Sequence, residues 1–224
     1  MRIRAILWDL DGTIADTEAL HFRAWQATML AYEVDYPYAK FIASFGRNNP
    51  EILAELIPDL TPAMMQEISD AKEHAFRTLV NPQSVALLPG VDQWLRLARA
   101  GGLRQAIGSS GPMANIAAVV AALDVGDHFR ALLSGFALLR GKPDPALFLN
   151  CAAAIEAAPE ECLVIEDSIH GIEAARRAGM ACIAVGRVAT SPEIQAYLSP
   201  DREPTCVAVR ALTDLSPAEI TARV

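Results

Sequence analysis

The chain opens with the apolar run Arg2-Ile3-Arg4-Ala5-Ile6-Leu7-Trp8, which leads directly into Asp9-Leu10-Asp11-Gly12-Thr13. A short apolar run that is bounded by turn residues is typical of a buried β-strand. Two aspartates and a glycine after a strand are common turn formers, but carboxylates are also the ligands that hard metal ions prefer. This stretch therefore predicts a core strand with a candidate reactive site at its carboxyl end.

The next segment, from Asp16 to about Leu79, has helical rather than strand periodicity. Apolar residues recur at helical spacing in two stretches, which are Leu20, Ala24, Ala27 and Ala31, and then Ile52, Leu53 and Leu56. Thr61 followed by Pro62 is typical of a helix N-cap and a first helical residue. We expect about four short helices here and no strand.

From residue 91 onward, helix and strand patterns alternate. The expected helices cover 91–100, 144–155 and 171–178, with one more from Pro112 and a terminal one from Ser216; the expected strands cover 104–108, 131–134, 162–165, 181–185 and 205–209. Such alternation predicts an α/β fold, with a Rossmann-like parallel sheet flanked by helices and an inserted all-helical cap domain. We expect a discontinuous core over 1–15 and 85–224, and a cap over 16–84.

The composition excludes several classes of protein. Hydrophobic residues make up 52% of the 224 residues, so the chain is neither disordered nor collagen-like. A net charge of −8 argues against a protein that wraps nucleic acid. No apolar stretch matches a signal peptide or a membrane span, and the four scattered cysteines are typical of buried thiols in a reducing compartment. We expect a cytoplasmic monomer that binds neither nucleic acid nor membrane.

Four polar stretches lie at or near the carboxyl ends of predicted strands. They are Asp9-Leu10-Asp11-Gly12-Thr13, Ser109-Ser110-Gly111, Gly141-Lys142-Pro143-Asp144 and Glu166-Asp167-Ser168. The ends of parallel strands meet at one edge of a sheet, which is where ligands bind in open α/β folds. Residues that are far apart in sequence are therefore expected to form one site.

The acids of these stretches predict a metal ion. Asp9 and Asp11 are two residues apart, so a strictly extended strand would place both on one face, and Glu166 and Asp167 would join them. Four carboxylates without a cation would repel one another. Oxygen ligands of this kind suit Mg²⁺, which pairs one or two carboxylates with a substrate phosphate.

The remaining groups predict an anionic substrate. Lys142 supplies a fixed positive charge, and the Ser109 hydroxyl with the backbone N–H groups of Ser110 and Gly111 supplies donors near the start of a helix. The site is therefore expected to attract phosphate although the whole chain is acidic.

In combination, these motifs resemble those of the haloacid dehalogenase superfamily of phosphotransferases with a helical cap after the first strand. The resemblance covers nearly the whole chain, and the motifs occur in order: Asp9-x-Asp11-Gly12-Thr13, Asp16-Thr17-Glu18, Gly141-Lys142-Pro143-Asp144-Pro145, and Ile165-Glu166-Asp167-Ser168 with Gly171-Ile172. Members that cleave haloacids or phosphonates lack the second aspartate, so Asp11 disfavours both activities.

The resemblance implies a role for each core residue. Asp9 would attack phosphorus to form an aspartyl-phosphate, and Asp11 would protonate the leaving oxygen and later accept a proton. Ser109 and Lys142 would hold the transferring group. Mg²⁺ would be bound by Asp9, Asp167 and the backbone carbonyl of Asp11, with Glu166 beside them or acting through water.

Three cap residues are candidates for substrate contact. His21 resembles the cap histidine of β-phosphoglucomutases, Lys72 lies where those enzymes and related phosphatases carry a lysine, and Arg47 lies near their phosphate-binding arginine. A plain surface or helix-face role is an equal alternative for each of the three. Asp16 is expected to cap a helix that has Glu18 in its first turn.

The function implied is a Mg²⁺-dependent phosphatase of a small phosphorylated metabolite, such as a sugar phosphate, with a movable cap that excludes water. One alternative is a β-phosphoglucomutase-like phosphohexomutase, in which the sugar replaces water as the acceptor. The other is a non-catalytic protein that binds a phosphorylated ligand, although a pure binder has no need of both a nucleophile and an acid.

Overall fold

Six parallel strands form one sheet in the computed structural model, which describes residues 3–44, 47–198 and 205–215. The strands are β1 (Ala5–Trp8), β2 (Arg104–Ser109), β3 (Ala131–Ser134), β4 (Cys162–Glu166), β5 (Ala181–Val185) and β6 (Cys206–Val209). Their spatial order is β3-β2-β1-β4-β5-β6, and every neighbouring pair is parallel. The order reverses between β1 and β4, which creates the crevice where ligands bind in such sheets. The predicted fold class is confirmed.

Eight α-helices accompany the sheet within the described residues. They are α1 (Glu18–Leu30), α2 (Tyr38–Ser44), α3 (Asn49–Leu56), α4 (Pro62–Leu79), α5 (Val91–Ala100), α6 (Met113–Leu123), α7 (Ala146–Ala154) and α8 (Ile169–Arg177). Helices α5 and α6 pack on the sheet face that carries Ile6 and Trp8. Helices α7 and α8 cover the opposite face, which carries Ala5 and Leu7. Because β1 is covered on both faces, all four of its residues are apolar.

The helices α1 to α4, which we call the cap helices, are inserted between β1 and α5. They share a hydrophobic core of their own, which includes Trp25, Met29, Phe41 and Leu53. The two connections to the sheet run side by side, since Asp16 N–H donates to the Ala86 carbonyl and Leu88 N–H donates to the Ile14 carbonyl, both at 3.0 Å. This pairing brings the chain back to the point where it left the sheet.

Several local predictions need correction. Helix α4 has 18 residues and is not short. Leu20 and Ala24 of the predicted stripe are buried, but Ala27 and the C-cap residue Ala31 are exposed. The rest of the buried face of α1 is formed by Trp25, Thr28 and Met29. Trp25 and Met29 offer more apolar area than the alanines do, so burying them stabilises this rotation of the helix.

The N-terminus of α1 also differs from expectation. Thr17 is the N-cap, and Asp16 lies one residue earlier with an exposed side chain. At Thr61 the capping prediction holds, since the hydroxyl of Thr61 accepts the N–H of Met64 and Pro62 follows as the first helical residue. The terminal helix expected from Ser216 lies outside the described residues.

The four cysteines are free thiols, and three of them are buried as expected, whereas Cys206 is only partly buried. None of the described helices is long and apolar enough to span a bilayer.

Candidate active site

Three carboxylates meet at the reversal point between β1 and β4. Asp9 follows β1 directly, Glu166 is the last residue of β4, and Asp167 comes next. The backbone N–H of Asp9 donates to the Ile165 carbonyl at 3.0 Å, which joins the two strand ends. One oxygen from each carboxylate lies within 4.8 Å of the other two. The sheet therefore assembles an acidic cluster, Asp9, Glu166 and Asp167, from residues more than 150 positions apart.

Lys142 is the cation of this cluster. Its ammonium donates to Asp9 Oδ1 at 2.5 Å and to Glu166 Oε2 at 2.7 Å, and it lies 4.9 Å from the centre of the Phe148 ring. Burial disfavours the charged form of Lys142, but the negative charges of Asp9 and Glu166 outweigh that effect and raise its pKa. Lys142 therefore presents a permanent positive charge to any group that enters the site.

One ammonium does not balance these three carboxylates, of which Asp9 and Glu166 are buried and Asp167 is half-buried. Burial, followed by the charge of Glu166, raises the pKa of Asp167 to about 8. The same two causes, in the same order, raise the pKa of Asp9. A hard divalent cation would remove this excess charge, and an all-oxygen donor set is what Mg²⁺ prefers. The residues present therefore fit the predicted magnesium ion.

Gly12 makes room for this donor set. Its φ is +83°, in the left-handed region, and a Cβ atom at this position would lie 2.1 Å from Asp167 Oδ2. The Thr13 hydroxyl approaches the other oxygen of Asp167 at 3.4 Å. The turn after β1 is thus shaped to let the Asp167 carboxylate approach the backbone closely.

Asp11 lies apart from the acidic cluster. Strand β1 ends at Trp8, so the chain does not stay extended, and Asp11 contacts different partners from those of Asp9. Its Oδ1 accepts the Thr17 hydroxyl at 2.6 Å and lies 3.3 Å from His21 Nε2, while the Ser109 hydroxyl is 3.5 Å from Oδ2. Its side chain is not among the three clustered groups within the described residues, and the expectation of a metal contact through its carbonyl stays a prediction.

The surroundings of Asp11 favour its ionised form. Burial raises the pKa of Asp11, but the hydrogen bonds from His21 and Thr17, together with nearby positive charge, outweigh burial and lower it. Asp9 and Asp11 are thus two carboxylates in contrasting environments, since one contacts a lysine of the core and the other a histidine of the cap.

Two basic side chains of the cap lie above Asp11. Lys72 of α4 has its ammonium 3.0 Å from His21 Nδ1, and the His21 ring stacks on Phe76 with centroids 4.0 Å apart. Burial and then the Lys72 charge lower the pKa of His21. A neutral His21 with its proton on Nε2 can accept from Lys72 and donate to Asp11 at the same time.

Thr17 and Glu73 also contact these groups, although the sequence patterns do not mark either one individually. The signal for Thr17 is the Asp16-Thr17-Glu18 motif to which it belongs. Glu73 is buried, and its Oε1 accepts from Lys72 at 2.9 Å and from Asn49 at 2.8 Å. No sequence motif marks Glu73, and two of its partners, Asn49 and Asn115, come from other elements.

The other predicted residues fall into two groups. Ser109 is buried and its hydroxyl accepts the N–H of Gly111 at 3.1 Å, while Ser110 is exposed just before α6. Arg47 does not contact the acidic cluster or Asp11 in the described structure. Its guanidinium instead makes two hydrogen bonds to Glu55 of the cap, at 3.1 and 2.8 Å. Its expected contact with substrate stays a prediction.

Comparisons with known proteins find relatives over most of the chain. Residues 3–179 match the family model of haloacid dehalogenase-like hydrolases. β-Phosphoglucomutase of Bacillus subtilis is 30% identical over 194 residues, which cover 83% of this chain and 84% of that protein. Fructose-1-phosphate phosphatase YqaB of Escherichia coli is 32% identical over 189 residues, which cover 82% of this chain and 97% of that protein.

Solved structures show the same fold. The crystal structure of CbbY from Rhodobacter sphaeroides in complex with phosphate superposes with a TM-score of 0.80 at 26% identity, over 96% of both chains. β-Phosphoglucomutase from Clostridium difficile superposes with a TM-score of 0.83 over 99% of this chain and 96% of that chain, and its 22% identity supports the fold alone.

Proposed function

Because the chain belongs to the haloacid dehalogenase-like hydrolase family, we propose that it is a Mg²⁺-dependent phosphatase of a small phosphorylated metabolite. The observation that carries the proposal is the pair Asp9 and Asp11. One is a buried carboxylate held by Lys142, and the other is a separate carboxylate in contact with a histidine. These are the two groups that hydrolysis through a covalent intermediate requires.

In the first half of the reaction, an Asp9 oxygen attacks phosphorus in line, and the bond from phosphorus to the alcohol oxygen of the substrate breaks. Asp11 gives a proton to that leaving oxygen from its protonated form, which the negative charge of a bound phosphate would favour over the ionised form of the free site. In the second half, water attacks the aspartyl-phosphate, Asp11 takes the proton of that water, and inorganic phosphate leaves with Asp9 restored. Lys142 and the Ser109 hydroxyl hold the oxygens of the transferring group throughout, so positioning and charge neutralisation do most of the work.

The metal would be held by Asp9, Glu166 and Asp167, with the backbone carbonyl of Asp11. When bound, Mg²⁺ supplies charge neutralisation for the phosphoryl group and fixes its orientation.

The relatives favour a sugar phosphate as the substrate. One relative is named fructose-1-phosphate phosphatase, another phosphorylated carbohydrates phosphatase, and a third hexitol phosphatase B. The cap helices bring His21 and Lys72 over Asp11, where polar groups of a sugar would lie if its phosphate were at Asp9.

The test is a phosphate-release screen with Mg²⁺ over sugar phosphates, nucleotides and glycolate phosphate. We expect a sugar phosphate to be the best substrate and Asp9→Asn to abolish turnover. Asp16→Asn is the matched control, since it neutralises an exposed carboxylate outside the cluster and should keep normal activity. Phosphate release that survives Asp9→Asn in a clean preparation would rule out the mechanism.

The second candidate is a β-phosphoglucomutase-like phosphohexomutase. The contact of His21 with Asp11, the Lys72 ammonium beside it, and the 30% identity to the Bacillus subtilis mutase favour it. Incubation with β-glucose 1-phosphate and a trace of the bisphosphate separates the two activities. A mutase would form glucose 6-phosphate, and a phosphatase would form free phosphate.

A non-catalytic binder of phosphorylated ligands is the third reading. Its test is covalent labelling by a phosphoryl donor. Labelling that is lost in Asp9→Asn would exclude it, and binding without labelling would support it.

A further inference from the structure

Cap side chains lie close to the buried catalytic groups. The side chain of Asp9 is only 9% exposed and that of Lys142 only 7%, while His21 of α1 contacts the neighbouring Asp11 and Lys72 of α4 contacts His21. We expect the cap to open for substrate entry and to close for reaction. The contacts between cap and core then decide how much of the protein is closed.

One such contact joins α6 of the core to α4 of the cap. Asn115 of α6 is 4% exposed and lies between Glu73 and Arg77, which are one helical turn apart on α4. Its Nδ2 donates to Glu73 Oε2 at 2.5 Å, and its Oδ1 accepts from Arg77 Nη1 at 3.0 Å. Both ends of one amide are therefore satisfied by a carboxylate and a guanidinium of the cap.

Glu73 also contacts Lys72, which is a candidate substrate-binding residue. The other oxygen of Glu73 accepts from Lys72 at 2.9 Å and from Asn49 at 2.8 Å. Lys72 in turn lies 3.0 Å from His21, above Asp11. On the core side, α6 starts at Met113, directly after the predicted phosphate donors at Ser109 to Gly111. Asn115 thus connects the helix behind the phosphate donors with the carboxylate that holds Lys72.

We propose that Asn115, Glu73 and Arg77 form a latch that fixes the closed position of the cap, with Asn115 as a positioning residue for Lys72. The effect of the latch on turnover rests on the proposed function, whereas its effect on the shape of the molecule does not. Opening the cap would expose all three side chains to water, which can replace their hydrogen bonds, so the latch is reversible. It shifts the balance between open and closed molecules rather than holding one state permanently.

A second contact between cap and core serves as the comparison. Arg187, beyond β5, donates to Glu18 of α1 at 2.5 Å, but its side chain is 68% exposed. Exposed ion pairs contribute little, because water screens them, whereas buried hydrogen bonds to charged groups are stronger. Closure should therefore depend on the latch far more than on Arg187.

The experiment compares Asn115→Leu with Arg187→Met as the control variant. Leucine keeps the volume of Asn115 but offers no hydrogen bond to Glu73 or Arg77. Since apparent affinity falls with the fraction of closed molecules, we expect KM to rise at least tenfold, while kcat at saturating substrate stays within about threefold. Small-angle scattering without substrate should show a larger radius of gyration. Arg187→Met should change neither KM nor the radius by a measurable amount.

Arg77 provides a second pair of variants that keeps the test valid if Asn115→Leu fails to fold. Arg77→Lys retains a charged donor for Asn115 Oδ1 and should stay near the parent KM, whereas Arg77→Met should resemble Asn115→Leu. Equal behaviour of Arg77→Lys and Arg77→Met would overturn the latch. So would parental scattering and kinetics in Asn115→Leu.

The scattering result separates the two proposals. If Asn115→Leu expands the molecule but even the parent releases no phosphate, the latch stands and the proposed function fails. If the parent releases phosphate and Asn115→Leu lowers kcat alone with an unchanged radius, the latch is wrong and the phosphatase stands.

Discussion

Two glycines define the acidic cluster at the scale of single residues. A Cβ atom at Gly12 would meet Asp167, and one at Gly171 would lie 2.0 Å from the carboxyl carbon of Glu166. The two carboxylates thus occupy space that any other residue at these positions would fill. The positions of Glu166 and Asp167 therefore require that Gly171 and Gly12 have no side chain.

Gly12→Ala should therefore disable the cluster. The new methyl group would displace Asp167, so we expect a roughly 10- to 100-fold loss of Mg²⁺ affinity, the size usual when the support of a metal ligand is lost. Isothermal titration with Mg²⁺ measures this directly.

Gly179→Ala is the matched control for Gly12→Ala. Gly179 has a comparable φ of +74°, but nothing lies within 4 Å of an added Cβ. Both variants should lose about 1–2 kcal/mol of stability from the left-handed backbone, but only Gly12→Ala should lose metal affinity. Equal Mg²⁺ affinities in the two variants would contradict the steric explanation.

Some residues of the site can be identified from local sequence patterns, and others cannot. The local patterns around Asp9 and Glu166 identify candidate groups because each directly follows a predicted strand, and Lys142 lies in a polar stretch eight residues beyond the strand predicted over 131–134. The partners of Asn115 cannot be identified in this way, since Glu73 is 42 positions away and neither residue belongs to a motif. Such contacts depend on how the cap is seated on the core, which no local pattern records.

At the scale of elements, α4 links the cap core to the site. Its residues Ile68 and Phe76 pack into hydrophobic cores, and the same helix carries Lys72, Glu73 and Arg77. The helix is held at its start by the Thr61 cap. Glu73 and Arg77 follow Thr61 by 12 and 16 residues, so the latch lies more than three turns beyond this end of the helix.

Thr61→Ala should destabilise the protein by about 1 kcal/mol, because the N–H of Met64 loses its acceptor. For a chain of this length, that corresponds to a fall of roughly 2–4 °C in the midpoint of thermal unfolding. Calorimetry measures the change. Thr61→Ser retains the hydroxyl and should stay near the parent, so an equal fall in both variants would show that the cap bond contributes nothing.

The elements themselves were predictable to different degrees. Strands β3 and β5 match the predicted bounds, because apolar runs between turn residues leave little choice. The existence of α1 was predictable, and Leu20 and Ala24 of its predicted stripe are buried. The second half of the stripe, Ala27 and Ala31, is exposed, because the packing of Trp25 and Met29 with Phe41 and Leu53 selects a different face there.

At the scale of the whole molecule, part of the excess negative charge is concentrated in the acidic cluster of Asp9, Glu166 and Asp167. Two buried carboxylates and one half-buried carboxylate face one ammonium at the reversal point, so metal-free protein carries unfavourable charge there. Binding of Mg²⁺ to the folded state alone should then stabilise the entire chain.

We expect saturating Mg²⁺, at about 100 times its dissociation constant, to add about 2.7 kcal/mol and raise the unfolding midpoint by roughly 5–10 °C. Asp167→Asn should change the stability of the metal-free form and the response to Mg²⁺ in opposite directions. Its metal-free form should be more stable than the metal-free parent, because one repelling charge is gone, and Mg²⁺ should raise its midpoint far less. Asp16→Asn should respond to Mg²⁺ like the parent, and a parental response in Asp167→Asn would contradict the assigned cluster.

The position of β1 at the middle of the sheet also constrains how the chain is made. Its neighbours are β2 and β4, and the second of these ends only at Glu166. During synthesis at about 5–20 residues per second, the strand that carries Asp9 therefore waits roughly 8 to 30 s for its last partner. Over that time the edge of β1 that later pairs with β4 has no native partner strand, although α5, α6 and α7 can already cover the two faces of β1. An open strand edge is a site where another chain can pair. The cap helices share a hydrophobic core of their own. They could therefore pack together before the ribosome has completed the sheet.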